Sequence, residues 1–127
     1  MANPNIVAVT KIFGTTAYIT PANTTANVLL SNPASSGKVF KINQIVAANV
    51  NGTTAVNTTV SIDNLAAGAG TDFPIASTVS VPANASLIVV DKTTAIYLME
   101  NSSIVVTSGT SSGITYSISY EDITDQP

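Results

Sequence analysis

The stretch Val81–Thr107, VPANASLIVVDKTTAIYLMENSSIVVT, decides the fold that this sequence predicts. It contains three short apolar runs, at Leu87–Val90, Ile96–Met99 and Ile104–Val106, separated by segments rich in Asn, Asp, Ser and Thr. Short runs rich in β-branched residues and closed by turn formers are typical of core strands in an all-β domain. Because the runs do not alternate with polar residues, we expect cover on both faces, inside a sandwich or at a contact between subunits.

Outward from this stretch, alternating and β-prone patterns predict further strands. They cover Ile6–Thr20, Asn27–Asn32, Lys38–Val50, Ala55–Asp63, Phe73–Val81 and Ile114–Glu121. In Lys38–Val50 the even positions are expected to face inward, and Gly14 is expected to mark a bend or bulge. The dipeptide Asn51-Gly52 between two alternating runs predicts a tight hairpin with a type I′ turn.

These patterns favour an all-β fold, an antiparallel β-sandwich of about eight or nine strands with either Ig-like or jelly-roll topology. A chain of 127 residues predicts a single domain over residues 1–127. Residues 1–9 form a candidate assembly arm, and residues 122–127 are expected to be a flexible acidic tail. The Gly-rich stretch Leu65–Asp72 is expected to be a mobile loop.

The composition excludes several classes of function. The chain has no Cys, no His and no Arg, so it lacks thiolate ligands, the commonest general base and bidentate phosphate contacts. Its only basic side chains are Lys11, Lys38, Lys41 and Lys92, and its formal net charge is -3. A nucleic-acid partner is therefore not expected.

Charged residues make up only 9% of the chain, so its surface polarity comes from Thr, Ser and Asn. Since ordinary soluble proteins carry roughly 25% charged residues, this composition favours a subunit whose surface is partly covered in an assembly. A naturally uncharged secreted or adhesive domain is the alternative. No apolar segment reaches the roughly 18 residues of a membrane span, and no membrane partner is expected. The N-terminus lacks secretory signal features, so we expect a complete chain made in the cytoplasm.

Several segments match part of a catalytic or binding motif, but the residues or elements that the motif also requires are missing. Gly109–Gly113 matches the G-x-S-x-G nucleophile motif, but a strand is predicted after it and no His is present. Partial dinucleotide and phosphate-loop motifs, at Gly68–Gly70 and Ser36–Lys38, lack their remaining glycines. The seven acids form no D-x-D-x-D run. The sequence therefore predicts no catalytic residue, no cofactor-binding residue, no metal ligand and no cofactor, and an enzyme is not expected.

The four tyrosines allow two interpretations. Tyr116 and Tyr120 share a face with Ile114 and Ile118, which favours core packing with the hydroxyl groups near the rim. The alternative is a platform on which sugars stack.

Three segments together resemble a known family. They are KVFKINQIVAANVNGT at Lys38–Thr53, VPANASLIVVDKTTAIYLMENSSIVVTS at Val81–Ser108 and SYEDI at Ser119–Ile123. In this order and spacing they resemble small virion structural proteins of tailed phages, especially phages of marine cyanobacteria. The resemblance implies a β-sandwich subunit attached to the particle, with capsid decoration first and the neck or tail second. It carries over no functional residues.

The expected function is that of a capsid decoration (cement) protein on the surface of a virion capsid, made in the host cytoplasm. Its expected partners are the major capsid protein, across whose neighbouring subunits it binds, or copies of itself in a homo-oligomer, or both. The N-terminal arm, Met1–Val9, and exposed sheet edges are the expected contact surfaces. The alternative is a neck or tail component, or a receptor-binding module that reads glycans.

Overall fold

The computed structural model describes Val7, Val9 and residues 11–124. In this part of the chain there are nine strands and one single-turn 3-10 helix at Lys92–Thr94. The strands are β1 (Lys11–Ile19), β2 (Asn27–Asn32), β3 (Lys38–Asn49), β4 (Val56–Asp63), β5 (Asp72–Val81), β6 (Ser86–Val90), β7 (Ile96–Leu98), β8 (Ser102–Ser108) and β9 (Ile114–Thr124).

The strands form two antiparallel sheets that pack face to face. One sheet has the order β1-β9-β3-β6, with β7 also paired to β3, and the other has the order β2-β8-β4-β5. The core lies between them and is built from inward-facing side chains of both sheets, including Ile42, Ile45, Val60, Ile104 and Ile118. The predicted antiparallel β-sandwich of eight or nine strands is confirmed.

The strand order identifies the topology as a jelly roll. β1 pairs with β9, β2 with β8, β3 with both β6 and β7, and β4 with β5, all antiparallel. These are the nested pairs of one long hairpin rolled into two sheets, and β1 to β4 alternate between the sheets. An Ig-like sandwich instead keeps its first two strands in one sheet, so the jelly-roll alternative is the correct one.

The stretch Val81–Thr107 is divided between the two sheets. β6 and β7 occupy one edge position, where each pairs with a different part of β3, whereas β8 is an inner strand of the other sheet. In β8, Ile104, Val105 and Val106 are all buried, as expected for a strand covered on both faces. In β6, Ile88 faces away from the sandwich and is 59% exposed, so the sandwich covers only one face of this strand, and the expected contact between subunits stays a prediction there.

The predicted inward face of β3 is correct only for its first half. Phe40 and Ile42 are buried, but after Ile42 the buried positions are the odd ones, Ile45 and Ala47. The register against β9 shifts between Ile42 and Gln44, so Asn43 is an extra residue in β3. Such a bulge moves every later side chain to the opposite face, which sequence alternation alone does not reveal.

The hairpin predicted at Asn51-Gly52 is wrong. β3 and β4 belong to different sheets, and neither Asn51 nor Gly52 has the positive φ that a type I′ turn requires. Instead the Asn51 side chain accepts hydrogen bonds from the backbone N–H groups of Thr53 and Thr54 and shapes a crossover. An Asx turn of this kind uses the same residue type as a hairpin turn.

Two smaller expectations also differ from the structure. β1 pairs with β9 without a register shift at Gly14, so there is no bulge there. β9 continues through Asp122, Ile123 and Thr124, because these residues pair with β1 on one side and β3 on the other. That part of the expected flexible tail is therefore strand, and residues 125–127 lie outside the described part of the chain.

Candidate assembly surface

β1 is the outer strand of its sheet. It pairs with β9 at nine consecutive positions, and no described strand pairs with its other edge. Ile12 and Tyr18 point to one face of the strand and Phe13 to the other, and these side chains are 55%, 77% and 55% exposed. The strand therefore offers a regular hydrogen-bonding edge and apolar side chains on both of its faces.

β5 is the outer strand of the second sheet and is less regular. Phe73 and Ile75 on this strand are exposed. Its pairing with β4 shifts register twice, and Thr78 adopts a positive φ of 50°. Bulges of this kind twist an edge and interrupt its row of hydrogen-bonding groups, so β5 is a poorer template for strand addition than β1.

Exposed apolar side chains extend along both long sides of the sandwich. β1 lies beside β2, which exposes Val28, and β5 lies beside β6, which exposes Ile88. β7 adds Tyr97, and Met99 follows it. A surface with so few charges and apolar side chains on two sides suits contacts with neighbours on both sides.

A cleft lies where β3 and β9 meet the turn between β6 and β7. Its volume is about 440 Å³, and its lining residues are Asn43, Gln44, Asp91, Lys92 and Ser119. The bulge residue Asn43 thus lines the cleft. Asp91 caps the single-turn helix, and the hydrogen bonds that its carboxylate accepts from the Thr93 side chain and backbone lower the pKa of Asp91.

The tyrosines divide into a pair that packs in or against the core and an exposed pair. Tyr116 is 0% exposed, and Tyr120 packs against the core with its ring 5.0 Å from that of Phe40, so the expected core packing is confirmed. The expectation that the hydroxyl groups lie near the rim is wrong for Tyr116, whose hydroxyl is buried between the sheets. The Tyr116 hydroxyl bonds with the Thr58 hydroxyl in the opposite sheet and donates to the Thr107 carbonyl at 2.9 Å. Burial raises the pKa of Tyr116. Tyr18 and Tyr97 are exposed.

The β4–β5 loop, residues 64–71, lies folded against the outer face of the second sheet. Ser103 donates to the Leu65 carbonyl at 2.8 Å, and Ser31 donates to the Ala66 carbonyl at 2.8 Å. A Cβ on Gly68, whose φ is +74°, would come within 2.8 Å of Val28 and 3.4 Å of Val105. The glycine therefore allows close approach over β8, and the loop expected to be mobile is held by specific bonds.

Two acids face each other at the base of this loop. Asp63 and Asp72 are cross-strand partners at the ends of β4 and β5. Burial by itself raises the pKa of Asp63, but hydrogen bonds from Leu65 N–H, from the Asp72 carboxyl and from Gly70 N–H outweigh burial and lower it. The hydrogen bond with Asp63, together with burial and the negative charge of Asp63, raises the pKa of Asp72.

The segment that matches the G-x-S-x-G motif lies between two strands. Gly109–Gly113 connects β8 to β9, so a strand follows it, as expected. Within Val7, Val9 and residues 11–124, no three His, Cys, Asp or Glu side chains come together as a metal-binding group. No helix in that part of the chain is long and apolar enough to cross a membrane. Of the candidate arm, Met1–Val9, only Val7 and Val9 are described, and Val7 is exposed.

Comparisons with known proteins give a likeness of fold. No protein-family model and no curated protein matches the chain. A chain of the acidic stable capsid structure of Helicobacter pylori bacteriophage KHP30 is similar, with a TM-score of 0.50 and 7% identity, over 94% of this chain and 92% of that one. A structure of infectious bursal disease virus Gt strain gives a TM-score of 0.41 and 8% identity, over 92% of this chain and 32% of that chain.

Proposed function

We propose that this protein is a virion structural subunit, a capsid decoration (cement) protein that binds across neighbouring major capsid protein subunits. The observation that carries the proposal is the β1 edge, which is long, regular and apolar on both faces while remaining unpaired among the described strands. Such an edge is an aggregation hazard in a free protein and an asset in a subunit that is covered on assembly.

The fold and the composition support the same proposal. Jelly rolls are common in viral capsids. The chain of the bacteriophage KHP30 capsid structure that is similar in fold is covered over 92% of its length, so the two chains are of nearly equal size. Only 9% of the residues are charged, so a contact surface would bury few charges without partners. The resemblance to small phage virion proteins points in the same direction.

The proposed mechanism is burial of surface rather than chemistry. A strand of the capsid protein adds to the free edge of β1, and the side chains of Ile12, Phe13 and Tyr18 pack on that partner. A standard interface of about 1,600 Å² is enough for a stable contact. The N-terminal arm, Met1–Val9, ends two positions before β1 begins at Lys11, so the proposal includes it in the same contact.

The test removes apolar side chains from β1 without breaking its pairing. In the variant Phe13→Ser/Tyr18→Ser, binding to capsids that lack this protein should weaken by a factor of about 10 or more, because two apolar contacts are lost. Co-sedimentation with the capsids measures binding. The matched control, Val50→Ser, removes an exposed apolar side chain from the β3–β4 crossover and should bind normally.

A second experiment tests whether the N-terminal arm is part of the contact. A chain lacking Ala2–Val9 should keep its circular dichroism spectrum and lose capsid binding. Full occupancy by both the truncated chain and the β1 variant would overturn the proposed contact.

A neck or tail component that reads glycans is the second candidate, and the cleft lined by Asn43, Gln44 and Ser119 favours it. Asn43, Gln44 and Ser119 offer donors and acceptors that suit sugar hydroxyls, and Tyr18, exposed on the same sheet as Ser119, can stack on a ring. Saturation-transfer NMR with neutral oligosaccharides tests this. Binding that Gln44→Ala abolishes and Asn57→Ala preserves, since Asn57 is exposed on the other sheet, would favour this candidate.

A further inference from the structure

We propose that Asn51 is a modification site, where attack by the Gly52 backbone nitrogen converts the side-chain amide into a carboxylate that the fold then holds in place. Asn51-Gly52 does not form the hairpin turn that the sequence predicted, and lies instead in the crossover from β3 to β4, where residues 52–55 are exposed. The inference is independent of the proposed function.

The reaction needs only water in addition to the chain. The Gly52 backbone nitrogen forms a bond to Cγ of Asn51, the bond from Cγ to Nδ2 breaks, and Nδ2 leaves as ammonia with the proton from Gly52 N–H. The product is a five-membered cyclic imide. Water then opens the ring at Cγ, which gives aspartate, or at the backbone carbonyl carbon, which gives isoaspartate. Either product is an acid in place of a neutral amide.

The first observation concerns the attacking nitrogen. Asn51 is the only asparagine in the sequence that precedes a glycine. Gly52 is exposed, and among the described residues none accepts a hydrogen bond from its N–H. A Cβ built on Gly52 would meet its nearest non-neighbouring atom, Asn84 Nδ2, only at 3.9 Å. The nitrogen is therefore accessible, and the glycine has the conformational freedom that ring closure requires.

The second observation is that the hydrogen bonds of the Asn51 side chain suit a carboxylate. Its Oδ1 accepts bonds from Thr53 N–H at 2.9 Å, from the Thr53 hydroxyl at 3.0 Å and from Thr54 N–H at 3.2 Å. No described residue accepts a bond from its Nδ2. Replacing the NH₂ group by an oxygen therefore loses no hydrogen bond within this part of the chain. The bonds to Oδ1 become charge-assisted, which makes such bonds roughly twice as strong as neutral ones.

The two products affect the crossover differently. Aspartate keeps the main chain unchanged and retains all three bonds from Thr53 and Thr54. In isoaspartate the former side chain becomes part of the main chain. The present arrangement of these bonds, and of the bond from Asn84 N–H to the Asn51 carbonyl at 3.3 Å, is then lost. The fold therefore favours aspartate, which places a new negative charge at this end of the sandwich.

The test of the reaction incubates the full chain in mildly alkaline buffer and follows every asparagine by peptide mapping with mass spectrometry. Asn51 should convert faster than any other asparagine by a factor of about ten or more, because only here does the next residue lack a side chain. Gly52→Ala should slow the conversion by a similar factor. This variant should fold, because the added methyl group has space and Gly52 does not have a positive φ.

The test of the product compares two variants with the same added charge. Asn51→Asp should raise the Tm by about 2–4 °C at neutral pH, because three donors already surround the oxygen. Asn57→Asp places the charge at an exposed position on β4 and should not raise the Tm.

Two results would overturn the proposal. One is an Asn51 amide that stays intact while other asparagines convert, or that converts equally fast in the Gly52→Ala variant. The other is a Tm of Asn51→Asp that is no higher than that of Asn57→Asp, which would show that the fold does not hold a carboxylate at this position.

Discussion

At the scale of single residues, three consecutive strands end in the same way. The last residues of β2, β3 and β4 are Asn32, Asn49 and Asp63, and each has a buried side chain that bonds to the backbone of the following connection or of the strand after it. A chain that leaves a sheet exposes backbone groups with no strand partner, and these side chains satisfy several of those groups. The sequence identifies such residues only as turn formers, because it does not show which of their side chains are buried.

Asn49 is the clearest case to test. Its amide donates to the carbonyls of Thr54 and Val81, at 3.0 and 2.8 Å, and its Oδ1 accepts from Asn51 N–H. Asn49→Ala should destabilise the fold by about 2 kcal/mol or more, because buried backbone groups lose their partners. Urea unfolding measures the loss. Asn57→Ala, at an exposed position on β4, serves as the control, and an equal effect of the two substitutions would contradict this role of Asn49.

Tyr116 links the two sheets through its hydroxyl group. Tyr116→Phe should cost about 1–3 kcal/mol, since the Thr107 carbonyl and the Thr58 hydroxyl lose a partner inside the core. Tyr97→Phe removes an exposed hydroxyl and should leave the free energy of unfolding nearly unchanged. Chemical denaturation of the two variants side by side measures the difference. A Tyr116→Phe protein as stable as the wild type would show that this hydroxyl does not stabilise the sandwich.

At the scale of strands and loops, the sequence predicts more about where elements lie than about how they pair. The bounds of β2 and the inward face of β9 follow from the residue pattern, because β9 has one clearly apolar face. The β3 face and the Asn51-Gly52 turn are mispredicted for a different reason. A single extra residue, Asn43, and a crossover between sheets depend on partners far away in the chain.

The β4–β5 loop allows a matched test with two glycines. Gly68→Ala should destabilise the protein by about 1–3 kcal/mol, since it forces a side chain into a positive φ and against Val28. Gly14→Ala places a methyl group where no atom lies within 4 Å and should be neutral or slightly stabilising. Thermal unfolding compares them. If Gly68→Ala were as stable as Gly14→Ala, the loop would not be held closely over β8.

At the scale of the whole molecule, the sequence reveals the unusual composition but not the order of the strands. The low charge and the absence of His, Cys and Arg follow directly from residue counts. The jelly-roll strand order does not, because it depends on which strand pairs with which across the full length of the chain. The candidate surface on β1 also required the structure, since only burial distinguishes an apolar edge strand from a core strand.

We propose that this protein binds the capsid through its β1 side, and a cryo-EM reconstruction of the intact particle would show whether it does. We expect a jelly-roll density on the capsid surface that spans neighbouring major capsid protein subunits, with Ile12, Phe13 and Tyr18 in the contact. Density for this chain only at the neck or tail, or capsid density in which β1 faces solvent, would contradict it.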